Sequence, residues 1–217
     1  TPSWAVHRIL EAMPELPRGG LWLDPCAGDG AIIKAARMLE PDTRWRATEL
    51  REECAEVLSA IPNCSVQIQN FLTSSELPAE LADVVLMNPP YRLAQEFVVE
   101  AMRMARYVVV LLRLNFLGSD ERVEWLRAWP PDVKVLPNRP KFRAGPGTDS
   151  IEYAWMVWDS TVLRASGTVC VLPSTPGAER GVRVRKAKVA GGAKRGKKRL
   201  IADSNAGPDT GVAASVG

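Results

Sequence analysis

Between Leu21 and Trp158, short apolar runs rich in Val, Ile, Leu and Trp alternate with segments of helical composition. Strands are predicted at Leu21–Leu23, Trp45–Thr48, Ser65–Gln69, Val84–Met87, Tyr107–Leu112, Val133–Leu136 and Tyr153–Trp158. Helices are predicted at Ala31–Leu39, Glu52–Ala60, Ala94–Ala105 and Arg122–Trp129. Strand followed by helix, repeated in this way, folds into a mostly parallel sheet covered by helices on both faces. The expectation is therefore an α/β, Rossmann-like fold with a seven-stranded sheet, in which ligands bind at the carboxyl ends of the strands.

A chain of 217 residues that is 46% hydrophobic supports one core of ordinary size. The charge is uneven along it. From Pro173 onward, ten basic residues face three acids, a net of +7, which leaves the first 172 residues with a net of −4. The basic stretch has no aromatic residue and no apolar periodicity, so it cannot bury enough surface to offset its ordering entropy. The expected division is a folded domain over 1–172 and a disordered basic tail over 173–217. Basic arms of this kind attract nucleic acid.

No run approaches the roughly 20 apolar residues of a membrane span, and the first residues have no signal-peptide layout. A cytoplasmic location, in a bacterial or phage-infected cell, and no membrane partner are expected. Cys26, Cys54, Cys64 and Cys170 form no C-x-x-C pair and have a single histidine, His7, for company, so no metal site is expected. The tryptophans Trp125, Trp129, Trp155 and Trp158 read as packing residues, and His7 as a partly exposed helix residue.

In "LWLDPCAGDGA", residues 21–31, a strand runs into a turn holding Gly28 and Gly30, and then into a helix. Glycine tolerates positive φ and lets a ligand lie against the backbone at a helix N-terminus. Ile33 breaks the dinucleotide pattern G-x-G-x-x-G, and no G-K-[ST] follows. Asp24 at the strand end would repel pyrophosphate but suits a ligand carrying an ammonium group. Glu49 ends the next strand, where an acid accepts ribose hydroxyls in nucleoside-binding sheets.

"NPPY", residues 88–91, follows the apolar run Ala82–Met87. Neither Pro89 nor Pro90 has a backbone N–H, and each restricts the residue before it, so the strand must stop here.

Taken in order, "DPCAGDG", Glu49, "QNFL" and "NPPY" resemble the class I S-adenosylmethionine-dependent methyltransferases that act on exocyclic amino groups. The likeness is greatest to the adenine-N6 DNA methyltransferases, including the small forms carried by bacteriophages. It spans most of residues 1–159 and extends to "TPSWAVHRIL" at the start and "NRPKF…GTDSIEYAWMVW" near the end.

The resemblance implies S-adenosyl-L-methionine as cofactor. Thr1, Pro2, Asp24, Pro25 and the backbone of Cys26, Ala27, Gly28 and Gly30 would hold its methionyl end. Glu49 with Leu50 would meet the ribose, and Asn70 with Phe71 the adenine. The family usually has Asp at the position of Asn70; an amide oxygen accepts from an amino group nearly as well.

Asn88 and the Pro89 carbonyl would each accept one N–H of the target amino group. Accepting both localises a lone pair that the ring otherwise delocalises. Pro90 would keep the turn rigid, and Tyr91 would stack on the base for roughly 1 to 3 kcal/mol. A base in duplex DNA must be flipped out to reach such a pocket. Phe142 is the candidate second wall, with Arg139, Lys141 and Arg143 around it as phosphate contacts. RNA and protein glutamine remain alternative substrates, and an inactive nucleic-acid-binding protein is the alternative outside the enzyme class. With no room for a recognition region after Tyr91, low or short-site specificity is expected, carried by 130–150 and the tail.

Overall fold

The computed structural model describes residues 1–73, 79–142 and 150–181. The chain divides into a compact unit, Thr1–Val184, and a second unit, Arg185–Gly217, which lies outside the described residues.

Eight strands form one sheet in the order β3-β2-β1-β4-β5-β7-β6-β8. They are β1 (Leu21–Asp24), β2 (Arg44–Glu49), β3 (Cys64–Ile68), β4 (Ala82–Met87), β5 (Ala105–Arg113), β6 (Asp132–Val135), β7 (Tyr153–Asp159) and β8 (Val169–Val171). β1 to β5 are mutually parallel, whereas β7 runs antiparallel to both β5 and β6. The seven expected strands are all present. The eighth, β8, pairs parallel with β6 through Val133↔Val169 and Val135↔Val171. It escapes a sequence reading because three exposed residues at a sheet edge have no buried-exposed alternation to reveal them.

Burial on both faces explains why the strands read as continuous apolar runs. Alternate residues of each strand enter one of two cores. Trp22, Trp45, Leu86, Val109 and Trp155 face α1 (Ser3–Ala12), α2 (Ala31–Arg37) and α3 (Ala55–Ser59), where Ile9, Ile33 and Leu58 are fully enclosed. Leu23, Val85, Met87, Val108 and Met156 face α4 (Ala94–Met104), through Phe97, Val98 and Ala101. Trp125 and Leu126 of α5 (Val123–Ala128) pack at the margin of this second core. Trp155 and Trp158 are buried, and Trp129 is half-buried against the second core. His7 is also half-buried, its Nε2 lying 3.1 Å from the Ala35 carbonyl and so tying α1 to α2.

The folded unit runs past the boundary expected at 172. Leu172 and Thr175 are buried. The Thr175 N–H donates to Asn138 at 2.6 Å, and Arg8 Nε of α1 donates to the Thr175 hydroxyl at 3.0 Å. These polar partners hold a segment that its own composition would leave unpacked. Among the described residues, no helix is long and apolar enough to cross a membrane.

Candidate active site at the carboxyl ends of the central strands

Strand order reverses between β1 and β4, because β1 leads to β2 on one side while β4 leads to β5 on the other. In open α/β sheets the crevice at such a switch point receives the ligand. Asp24 ends β1, Glu49 ends β2, and Asn88 follows β4, so the topology brings these three motifs to one edge.

Asp24 is 1% exposed, and its carboxylate accepts the Cys26 N–H at 3.2 Å. Burial raises its pKa to about 7, against the pull of the Cys26 bonds. No basic side chain among the described residues is bonded to it. The Cys26 thiol is pushed well above its ordinary pKa by burial and by Asp24, while it also contacts the Asn88 backbone. It therefore stays a neutral packing group joining the glycine turn to the N-P-P-Y turn.

The glycine turn depends on two conformations that L side chains rarely adopt. Gly28 has φ +58° and Gly30 has φ +76°. At Gly30, the N-cap of α2, a Cβ would also lie 2.5 Å from Ile61 Cδ1. Glu49 stabilises the turn from β2: its carboxylate accepts the Gly28 N–H at 2.6 Å and the Arg51 Nε at 2.9 Å. Burial alone would raise the Glu49 pKa, but bonds from Arg51 and Gly28 hold it below the ordinary value. Arg51 is a residue that sequence reasoning missed. Its signal is a cation two positions after the acid, easily mistaken for a surface charge.

Pro25 and Ala27 are buried beneath the turn, whereas Leu50 is 70% exposed beside Glu49. Asn70 is exposed and its side-chain oxygen accepts the Leu72 N–H at 3.1 Å. Phe71 differs from its expected place. Its ring is 4% exposed and stacks on Phe97, 5.4 Å between centroids, so Asn70 is the member of the pair open to a ligand.

Asn88 is held by the chain's first residues. Its Nδ2 donates to Thr1 Oγ1 at 3.1 Å, with Pro2 capping α1 just beyond. The Oδ1 of the same amide is buried and has no hydrogen-bond partner among the described residues. An unsatisfied buried acceptor costs about 1 to 3 kcal/mol, which a donor arriving with a ligand would relieve. The Pro90 carbonyl accepts the Leu93 N–H at 2.9 Å and is thereby turned into the short helix Tyr91–Leu93.

Tyr91 and Phe142 both rest against Tyr153, with centroid distances of 6.0 and 5.2 Å. Tyr153 is buried at the start of β7, where its place in an apolar run hides any role beyond packing. The Arg113 guanidinium lies over the Tyr91 ring, 4.7 Å from its centroid. Of the expected basic cluster, Arg139 is paired with Glu152 through both Nε and Nη2, and Lys141 is exposed. Arg143 and the basic stretch from 182 lie outside the described residues.

No family model matches the sequence, and no curated protein matches it. Solved structures do. A type I restriction-modification methyltransferase subunit from Streptococcus thermophilus superposes with a TM-score of 0.63 at 14% identity, over 83% of this chain and 51% of that one. The 23S rRNA methyltransferase ErmE gives 0.53 at 19% identity, over 80% and 70%. Precorrin-6y C5,15-methyltransferase from Geobacter metallireducens gives 0.51 at 16%, over 72% and 85%. At these identities the likeness is one of architecture: the chain has the Rossmann-like fold of class I methyltransferases.

Proposed function

We propose that the chain transfers a methyl group from S-adenosyl-L-methionine to an exocyclic amino nitrogen, N6 of adenine in DNA. The observation that carries this reading is the buried, unpartnered Oδ1 of Asn88, set beside a glycine turn flanked by two buried acids. The residues fit the cofactor. A buried carboxyl to which no basic side chain among the described residues is bonded suits a cationic amino-acid end, and Glu49 keeps lone pairs for ribose hydroxyls. When bound, the cofactor supplies an electrophilic methyl group on a sulfonium.

The chain's own residues supply the rest. Asn88 Oδ1 and the Pro89 carbonyl accept the two N–H groups, which draws the nitrogen toward a tetrahedral shape and aims its lone pair. Tyr91 stacks on the base. A flipped or single-stranded nucleotide would reach this site, and a paired one would not. The fold is shared with a restriction-modification methyltransferase subunit and with a 23S rRNA methyltransferase, which is compatible with a nucleic-acid substrate.

Incubation with labelled cofactor and separate DNA, RNA and protein pools, followed by nucleoside and amino-acid analysis, tests the reading. N6-methyladenine in DNA is the expected product. Label in RNA or in glutamine would replace the substrate, and no label with no cofactor binding would refute the enzyme. Asn88→Ala should abolish transfer while cofactor binding survives.

A further inference from the structure

Both oxygens of the Glu49 carboxylate are engaged by the protein itself. Oε2 accepts the Gly28 N–H at 2.6 Å, while Oε1 accepts the backbone N–H of Arg51 at 3.1 Å and the Nε of the same residue at 2.9 Å. A carboxylate offers roughly four acceptor positions, so one on Oε2 is left for a further donor and both on Oε1 are taken.

The two donors on Oε1 differ in how readily they move. The backbone N–H belongs to the turn that follows β2, and shifting it would rebuild that turn. The Arg51 side chain is 55% exposed, and among the described residues its guanidinium bonds to Glu49 alone. It also lies over the glycine turn, since a Cβ at Gly28 would sit 3.4 Å from Arg51 Nη2. One charge-assisted bond, weakened by solvent, thus holds a cation above the carboxylate.

We propose that the Arg51 guanidinium stands in for one ribose hydroxyl, as a latch that a vicinal diol displaces and a sugar without hydroxyls does not. The inference rests on the reading of Glu49 as the ribose acid and adds the residue that sets how strongly the site prefers a ribose. Vicinal hydroxyls meet a carboxylate one on each oxygen, because their spacing is close to that of the two oxygens. One hydroxyl takes the remaining position on Oε2. The other takes the place of Nε on Oε1 and sends the side chain into solvent. The backbone N–H groups of Gly28 and Arg51 stay bonded, so the carboxylate keeps its direction through the exchange. Part of the gain from the second hydroxyl is offset by the lost Arg51 bond, so Arg51 lowers the preference for ribose instead of raising it.

The test uses the full chain, labelled with nitrogen-15 and titrated with S-adenosylhomocysteine and with its 2′,3′-dideoxy analogue. Neither ligand has a net charge, so the loss of a cation has no net ligand charge to act on. Arg51→Ala should tighten S-adenosylhomocysteine about two- to fivefold, the range of an exposed ion pair, and leave the affinity for the dideoxy analogue unchanged. In the wild-type chain the Arg51 Nε–H resonance, identified by its absence from Arg51→Ala, should move to the position of a solvent-exposed arginine as S-adenosylhomocysteine is added. With the dideoxy analogue it should stay in place.

The latch is overturned if Arg51→Ala weakens S-adenosylhomocysteine, because Arg51 would then hold the ligand directly. A change of equal size for both ligands overturns it too, because the hydroxyls would then play no part. An Nε–H resonance unmoved at saturating S-adenosylhomocysteine overturns it without recourse to any variant, and leaves the cofactor reading standing. Absence of binding by either ligand overturns the latch and the cofactor reading together.

Discussion

The Asn88 side chain donates to Thr1 Oγ1 at 3.1 Å, and this one bond sets which end of the amide is left unbonded. With the amide free to rotate, its nitrogen could take the place of its oxygen and repel an incoming N–H. Thr1→Val should therefore lower kcat about fivefold, a hydrogen bond being worth about 1 kcal/mol, with a smaller change in cofactor KM. Thr1→Ser should restore it. Steady-state kinetics separates the two parameters.

Asp24 makes the unliganded protein sensitive to pH. Its folded pKa, about 7, lies above the ordinary 3.8, so the stability it contributes is fully present below about pH 4 and is lost as pH rises through 7. A shift of that size corresponds to about 4 kcal/mol. Asp24→Asn should be more stable than wild type at pH 8 and nearly level with it at pH 4, as measured by urea unfolding.

The same group should tie cofactor binding to pH in the opposite sense. A cationic ligand pairs with the ionised carboxylate, so affinity for S-adenosylmethionine should rise between pH 6 and pH 8 and then level off. Titration calorimetry in buffers of different ionisation enthalpy would detect the proton released near neutrality. Asp24→Asn should bind weakly with no such dependence.

Gly30 combines a left-handed φ with a Cβ position 2.5 Å from Ile61. Gly30→Ala should cost about 1 to 3 kcal/mol through strain alone. Combining it with Ile61→Ala should recover the steric part and not the backbone part, a difference that chemical denaturation of the two variants resolves.

Truncation distinguishes the packed C-terminal segment from the basic stretch beyond it. Residues 182–217 carry nine basic residues and two acids. Ending the chain after Gly181 should leave the melting temperature unchanged and flatten the salt dependence of nucleic-acid binding. Ending it after Leu172 should also lower the melting temperature, because Thr175 and its bonds to Asn138 and Arg8 are removed.

What could be read from the sequence were groups whose position follows from chain order alone. Asp24, Glu49 and Asn88 each end an apolar run, and alternation of strand and helix is enough to bring such ends to one edge. Ring direction was not legible in the same way. Phe71 lies three residues after the end of β3, where no periodicity tells whether the ring turns to solvent or to Phe97. Pairings between distant residues were hidden as well. Arg139 and Glu152 look like separate surface charges until the chain's return brings them together. The role of Tyr153 was masked because a buried strand residue and a support for two other aromatic rings have the same local pattern.

The ladder between β1 and β4 is short, with Trp22 opposite Val84 and Leu23 opposite Val85. It nevertheless acts as a ruler. The separation between Asp24, at the end of β1, and Asn88, just after β4, is set by the main-chain spacing of adjacent strands, which no side-chain substitution alters. On the proposed function, reaction geometry and substrate choice are thereby uncoupled: segments beyond Tyr91 and Arg113 can change without moving Asp24 relative to Asn88.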